Sequence, residues 1–293
     1  MSYFDAIIQG IVQGLTEFLP VSSSGHLSLI QYFTGQNGDQ ALLFSIILHF
    51  GTLVAVFIAF YKTIIDLIKE FFLIIGDLFR GRLFKQKPSP ERKMVYLLIL
   101  SLVPLLFFVF LFDFYESLST DNSIVAEGVC FIITAILLFL ADKNSYGKKD
   151  ASTMKPIDAV AMGIAQGIAP LPGVSRSGST VSIGLMMGLR KDYAVAFSFI
   201  MGMPAVFAAN IFGISEAIAQ KPDFNMPVIL TGLLCSVVFG LLAIKMVNWL
   251  VKTNKFKYFA YYTLVLGIVT IIIGLIDNFS GNIVQSFFLN LIS

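Results

Sequence analysis

The chain has 293 residues, 57% of them hydrophobic and 13% charged, with 20 Lys and Arg against 18 Asp and Glu. A soluble domain carries about 25% charged residues, so this chain lacks the charge to cover a water-facing surface and falls outside the soluble globular class. The near-neutral balance of +2 says little as a total, because in a membrane chain the information lies in where the charges sit, and the lack of a compact domain with a basic face argues against nucleic acid as a partner.

The N-terminus, MSYFDAIIQG, has no basic n-region and carries Asp5, so the first apolar segment is expected to stay in the fold rather than be removed as a signal peptide. Ala6–Leu19, followed by PVSSSGHLSLIQYF, consists of two short arms around a Pro/Ser/Gly tip. Crossing a hydrocarbon core of about 30 Å takes roughly 20 apolar residues, so the pair reads as a re-entrant helical hairpin. Ala41–Phe60 is a full span. Lys62–Lys93 is too charged to cross, and Ile64, Ile65, Ile68, Phe72 and Ile75 among Lys69, Glu70 and Asp77 predict an amphipathic helix on the membrane surface. Met94–Phe112 and Ile124–Ala141 are spans, and Ala159–Leu171 with PGVSRSGSTVSIGLMMGL is a second broken pair. Three further spans follow at Tyr193–Ile214, Met226–Ile244 and Tyr258–Ile276, and IVQSFFLNLI at the end reads as an interfacial helix. Cys130 and Cys235, far apart inside apolar runs, read as small buried hydrophobes.

With six crossings and two returning hairpins the loops alternate between faces. One face receives eight basic residues in Lys62–Lys93, four in Lys143–Lys155, Arg190 and Lys191, and four in Lys245–Lys257, which is 18 of the 20. The other receives only Lys221, and Arg176 stands at a hairpin tip. Positive charge marks the cytoplasmic face, so both termini are expected outside.

A shift of 153 residues superimposes the two broken regions without a gap. Asp5, Gly10, Gln13, Gly14, Ser22, Ser24 and Gly25 fall on Asp158, Gly163, Gln166, Gly167, Ser175, Ser177 and Gly178, and the register continues to Ile47 on Ile200. The chain therefore reads as one membrane domain over 1–293, built from repeats at about 4–141 and 157–276. A unit of one hairpin and three crossings inverts the second copy. The predicted fold is an all-α inverted-repeat membrane protein whose hairpin tips meet near the midplane.

Polar groups at membrane depth are costly and point to function. Gln9, Gln13 and Glu17 recur every four residues on one helical face. The pairs Gly10/Gly14, Gly163/Gly167 and Gly184/Gly188 read as helix contacts that admit close approach. Serines in Pro20-Val-Ser-Ser-Ser-Gly-His26 and Pro172-Gly-Val-Ser-Arg-Ser-Gly-Ser-Thr180 can cap the second arms, whose N-termini, with Arg176, form a site for an anion such as phosphate. His26 stands three residues after Ser23 and is positioned to take its proton or to attack phosphorus itself, whereas His49, inside a span, reads as structural.

Gln13–His26 (QGLTEFLPVSSSGH) and Leu171–Thr180 (LPGVSRSGST) resemble the two signature motifs of the bacterial undecaprenyl pyrophosphate phosphatases, also called bacitracin-resistance proteins. The resemblance implies hydrolysis of undecaprenyl pyrophosphate to the monophosphate carrier of peptidoglycan synthesis, in the bacterial plasma membrane with the site open to the outer face. It implies catalytic roles for Ser23, His26, Glu17 and Arg176. Gln13, Ser22, Ser24, Gly25, Ser175, Ser177 and Thr180 would bind substrate. A divalent cation, Mg2+ or Ca2+, would sit on Glu17 and the pyrophosphate oxygens. Gln13 departs from the two-carboxylate form of the first motif, and Ser24 replaces its usual threonine. Ser23 attacking with His26 as base, or His26 attacking with Ser23 orienting it, are both open, and Glu17 either holds the metal or activates water. A homo-oligomer is compatible with this layout. Inverted repeats with broken helices equally suit a transporter of a lipid-linked or small anion, and the reactive set Ser23, His26 and Glu17 is what favours an enzyme.

Overall fold

The structure, a computed structural model, describes residues 2–35, 39–82, 88–111, 123–144, 146–219, 225–253 and 255–292. Among these the elements are helical, with one isolated bridge between Lys149 and Leu189.

Helix α1 (Tyr3–Phe18) starts from a capping box in which the Asp5 amide donates to the Ser2 hydroxyl and the Ser2 amide to the Asp5 carboxylate. It ends before Pro20, which forces Leu19 into an extended conformation (φ −62°, ψ 142°). Helix α2 (Ser23–Thr34) turns back and stops at Gly35, whose φ of 63° is the left-handed cap that glycine adopts freely. Helix α3 (Asp39–Phe79) follows, then α4 (Pro90–Phe108) and α5 (Val125–Lys143). The second pair of short helices is α6 (Pro156–Ile168) and α7 (Arg176–Met186). Helices α8 (Lys191–Ala219), α9 (Met226–Lys252), α10 (Phe256–Ser280) and α11 (Ile283–Ile292) complete the chain.

Five helices among the described residues are long and apolar enough to cross a membrane, over 43–79, 90–111, 125–143, 226–252 and 256–280. The remaining expected span, Tyr193–Ile214, lies within the 29-residue α8. Large apolar side chains such as Phe57, Leu106, Leu234 and Val265 face outward while Gln13, Glu17, Ser182 and Ser198 are buried, the reverse of a soluble fold. The chain is a multi-pass membrane protein. Lys221, expected alone on the outer side, lies outside the described residues, as do Lys85 and Lys87.

The helix expected to open Lys62–Lys93 is present: Phe60 has non-helical angles (φ −118°, ψ 21°), so α3 is two helices meeting at a kink where the span was expected to end, and the second runs to Phe79. Arg92 at the start of α4 clasps this extension through Glu70 at 3.0 Å and Asp77 at 2.7 Å. One expectation needs correction: Gly188 is not half of a helix-contact pair. Helix α7 ends at Met186, and Gly188, at φ 86°, makes the turn after it.

The other glycine pairs set the packing. At Gly10 and Gly14 a Cβ would meet the backbone of Gly232 and of Ser236 and Gly240, so α1 lies directly on α9. Gly163 and Gly167 do the same on α4, against Ser101 and the Phe108 ring. Cross-packing of each first arm on a helix of the other half brings the hairpin tips together. The Ser177 hydroxyl donates to the Leu19 carbonyl at 3.1 Å, and Gly25 abuts Gly173.

Candidate active site

The two tips are built alike. At the first, Ser22 caps α2, its hydroxyl accepting from the Gly25 amide and lying 3.3 Å from that of Ser24. At the second, Ser175 caps α7 by accepting from the Gly178 amide at 3.0 Å, with its hydroxyl 3.3 Å from that of Ser177. Ser22, Ser24, Gly25, Ser175 and Ser177 thus shape the two helix N-termini. Ser22 holds φ at 69°, a left-handed conformation that costs a non-glycine residue about 1–3 kcal/mol and that clusters at functional sites.

At the positions where the repeat departs from itself, Ser23 and Arg176, the tips converge on one carboxylate. The Ser23 hydroxyl donates to Glu17 Oε2 at 2.6 Å, and Arg176 Nη2 donates to Glu17 Oε1 at 2.6 Å. Gln13, one turn before Glu17, donates its Nε2 to Oε2 at 3.0 Å. Glu17 is buried, and these donors compensate its charge. Arg176 Nη1 is buried and has no partner, as does Gln13 Oε1. A cavity of about 10 Å³, the space of roughly one water molecule, lies beside Glu17 and Arg176, walled by Thr52, Phe199, Gly202 and Met203. Met203 also lines a second, wholly apolar cavity of about 230 Å³ between α3, α4 and α8, with Leu67, Phe71, Leu98, Leu102 and Pro204.

His26 is turned away from Ser23. Its Nδ1 lies 2.7 Å from the Ser22 carbonyl and its Nε2 2.7 Å from the Tyr262 hydroxyl of α10. The expected transfer of the Ser23 proton to His26 is therefore not prepared by this geometry, because the capping carbonyl of Ser22 takes one ring nitrogen and α10 the other. Glu17 receives the Ser23 hydrogen instead. Thr180 is also held apart, bonded to the Arg176 carbonyl at 2.8 Å and to the Ser198 hydroxyl at 2.6 Å.

His49, expected to be structural, reaches the site: its Nε2 is 3.7 Å from Glu17 Oε2, while Nδ1 donates to the Ser45 carbonyl at 2.8 Å. Gly202 was also missed. Its Cα lies against the guanidinium, and a Cβ there would collide with Arg176 Nη1. Both were within reach of the repeat, since the register that pairs Ile47 with Ile200 pairs His49 with Gly202 two residues later. Tyr262 carries no signal in the sequence, because the spacing between α2 and α10 is a tertiary fact.

Among the described residues no group of three His, Cys, Asp or Glu could by itself hold a metal ion. Near the tips Gln13 Oε1 is buried and has no hydrogen-bond partner, and it stands one helical turn from the Glu17 carboxylate.

A model of the family described as bacitracin resistance protein BacA matches residues 6–269. A protein named undecaprenyl-diphosphatase from Alkaliphilus metalliredigens is 39% identical over 282 residues, covering 94% of this chain and 100% of that protein. One of the same name from Methanosphaera stadtmanae is 39% identical over 94% of this chain and 99% of its own length. A third, from Methanobrevibacter smithii, is 37% identical over 92% of this chain and 96% of its own.

Proposed function

The chain belongs to the bacitracin resistance protein BacA family, and from that membership we propose that it hydrolyses undecaprenyl pyrophosphate to undecaprenyl phosphate and phosphate at Glu17, Ser23 and Arg176. This activity returns the lipid carrier to peptidoglycan synthesis and accounts for bacitracin resistance. The observation that carries the site assignment is the double engagement of Glu17, by a hydroxyl on one oxygen and a guanidinium on the other.

Ser23 Oγ attacks the terminal phosphorus while its proton passes to Glu17 Oε2, 2.6 Å away. A bond forms between Oγ and phosphorus, the bridging P–O bond breaks, and undecaprenyl phosphate departs with the electron pair. Water then attacks the phosphoserine. The proton on Glu17 returns to Ser23 Oγ as its bond to phosphorus breaks, one proton of the water is released and the other leaves in hydrogen phosphate. Arg176 directs its unpartnered Nη1 at phosphoryl oxygens while Glu17 anchors Nη2, so the charge that develops meets a donor already in place. The free amides of the two capped helix N-termini add to this field. Ser22, Ser24, Gly25, Ser175 and Ser177 present those amides.

Gln13 Oε1, buried and unpartnered, and the Glu17 carboxylate are the groups that would hold a divalent cation, Mg2+ or Ca2+, together with oxygens of the substrate. Bound there, the cation supplies charge neutralisation at the phosphoryl groups. The prenyl tail runs past Met203 into the apolar cavity between α3, α4 and α8.

The architecture we propose is an inverted repeat with α1–α2 and α6–α7 as re-entrant hairpins entering from opposite faces of the plasma membrane. Support comes from the 153-residue register, from the matching serine caps and from the matched glycine contacts of α1 on α9 and α6 on α4. The partition of 18 basic residues to one face supports an orientation with both termini outside, and the family resemblance supports a site open to the outer face. The deciding experiment is phosphate release from undecaprenyl and farnesyl pyrophosphate by the purified protein, with and without chelator, for the wild type and Arg176→Ala. Release that survives Arg176→Ala would overturn the site.

A further inference from the structure

The His26 ring is fixed on every side by groups that choose its tautomer. A carbonyl oxygen only accepts, so Nδ1, 2.7 Å from the Ser22 carbonyl, must carry a hydrogen and donate it. In the neutral ring the lone pair then sits on Nε2, where the Tyr262 hydroxyl donates to it at 2.7 Å. The Tyr262 ring stacks on the imidazole with centroids 5.8 Å apart and 11° between planes, and Phe131 meets it edge-on at 5.5 Å. The Ser22 carbonyl that anchors Nδ1 belongs to the left-handed residue of the tip, and it also accepts from the His26 amide at 3.2 Å. Tyr262 thus joins α10 to the hairpin whose serine attacks, and it does so from a partly exposed position, whereas Glu17 is buried.

We propose that Tyr262 is a positioning residue of the reaction: by donating to His26 Nε2 it locks the ring in the Nδ1–H tautomer, pins the Ser22 carbonyl and so holds Ser23 on Glu17. This rests on the assignment of Ser23 as nucleophile. Without the Tyr262 hydroxyl the ring can rotate, Nδ1 leaves the Ser22 carbonyl, and the strained turn that aims Ser23 loses its brace. The chemistry at Glu17 and Arg176 keeps its groups and loses their alignment, so kcat falls while substrate capture is spared.

The test uses full-length protein in lipid nanodiscs. Tyr262→Phe keeps the stacked ring and removes only the hydroxyl. It is expected to lower kcat about ten- to a hundredfold, the range seen when partners orienting functional histidines are lost, with KM within about twofold. Because the chain has only two histidines, 15N-histidine labelling with His49→Gln for assignment reads the tautomer directly. The wild type should show His26 with its hydrogen on Nδ1, and Tyr262→Phe a tautomer mixture. In a His26→Gln background Tyr262→Phe should cost nothing further, as for two residues acting through one contact. Wild-type kcat in Tyr262→Phe, an equal loss in both backgrounds or an unchanged Nδ1–H signal would each overturn the proposal. Should wild-type protein release no phosphate at all, the assigned function fails, while the tautomer readout still decides the role of Tyr262.

Discussion

Glu17 and Arg176 stand 159 residues apart in the chain, and a 2.6 Å hydrogen-bonded ion pair joins them where the two hairpin tips meet. The same carboxylate holds the Ser23 hydroxyl on its other oxygen, so one buried group joins a hydroxyl from the first tip to a guanidinium from the second. On the mechanism proposed above neither tip carries the reaction alone: the 153-residue register differs at Ser23 and Arg176, which gives one tip the attacking hydroxyl and the other the stabilising charge.

Arg176→Lys and Glu17→Gln should both fold and both lose about 10²–10³-fold in kcat, the cost of removing one preorganised group from developing charge. Lysine keeps the charge but cannot span Glu17 and a phosphoryl oxygen together, since it lacks the planar fork of the guanidinium. Arg176→Ala is harsher on the fold, because stripping one partner from a buried ion pair typically costs about 3–5 kcal/mol. Phosphate release and thermal unfolding measured on the same samples separate the two effects. Near wild-type kcat in the lysine variant would remove Arg176 from the mechanism.

Gly202→Ala tests how the arginine is aimed. The added Cβ would clash with Nη1, the flexible end of a side chain, so the guanidinium moves rather than the helix. We expect a folded protein whose kcat falls at least about tenfold, each tenfold step being about 1.4 kcal/mol of lost transition-state stabilisation. An unaffected rate would mean that the observed Arg176 position is not the catalytic one.

His49→Leu should be the mildest of these changes, under about tenfold in kcat. Its Nε2 stands 3.7 Å from Glu17 Oε2, beyond hydrogen-bond distance, whereas Ser23 and Gln13 contact that oxygen directly. A loss as deep as that of Glu17→Gln would place His49 in the reaction itself.

The helices and the tips were legible because composition and period speak for them. Runs of about 20 apolar residues, proline at Pro20 and Pro172, and serine caps at Ser22 and Ser175 are local instructions. That Glu17, Ser23 and Arg176 meet was foreshadowed by the cost of charge at membrane depth, which singles out Glu17 and Arg176, and by the 153-residue register, which pairs Ser23 with Arg176. What stayed hidden depends on rotamers and tertiary packing. His26 stands three residues after Ser23, yet its Nδ1 is held by the Ser22 carbonyl and its Nε2 by Tyr262, which turns the imidazole toward α10. The bend at Phe60 has no proline or glycine to announce it, and it was the change from an unbroken apolar run to one carrying Lys62, Asp66, Lys69, Glu70 and Asp77 that marked the boundary.

The apolar cavity beside Met203 makes a claim about substrate length. Leu102→Trp fills space lined by Leu67, Phe71, Leu98 and Pro204 without touching Glu17, Ser23 or Arg176. It should lower kcat/KM for undecaprenyl pyrophosphate several-fold more than for farnesyl pyrophosphate. Equal losses on both substrates would put the tail elsewhere.

The identity of the nucleophile follows from which group already points at a base. Ser23 donates to Glu17 at 2.6 Å, while His26 has both ring nitrogens engaged with Ser22 and Tyr262. Rapid quenching with a terminally 32P-labelled substrate should therefore trap phosphate on Ser23. The adduct should survive acid, as phosphoserine does and phosphohistidine does not, and it should be absent from Ser23→Ala. An acid-labile adduct on His26 would reverse the roles of the two residues, with Ser23 and Glu17 left to orient the imidazole. No adduct on either, in a protein that still releases phosphate, would assign the attack to water activated by Glu17.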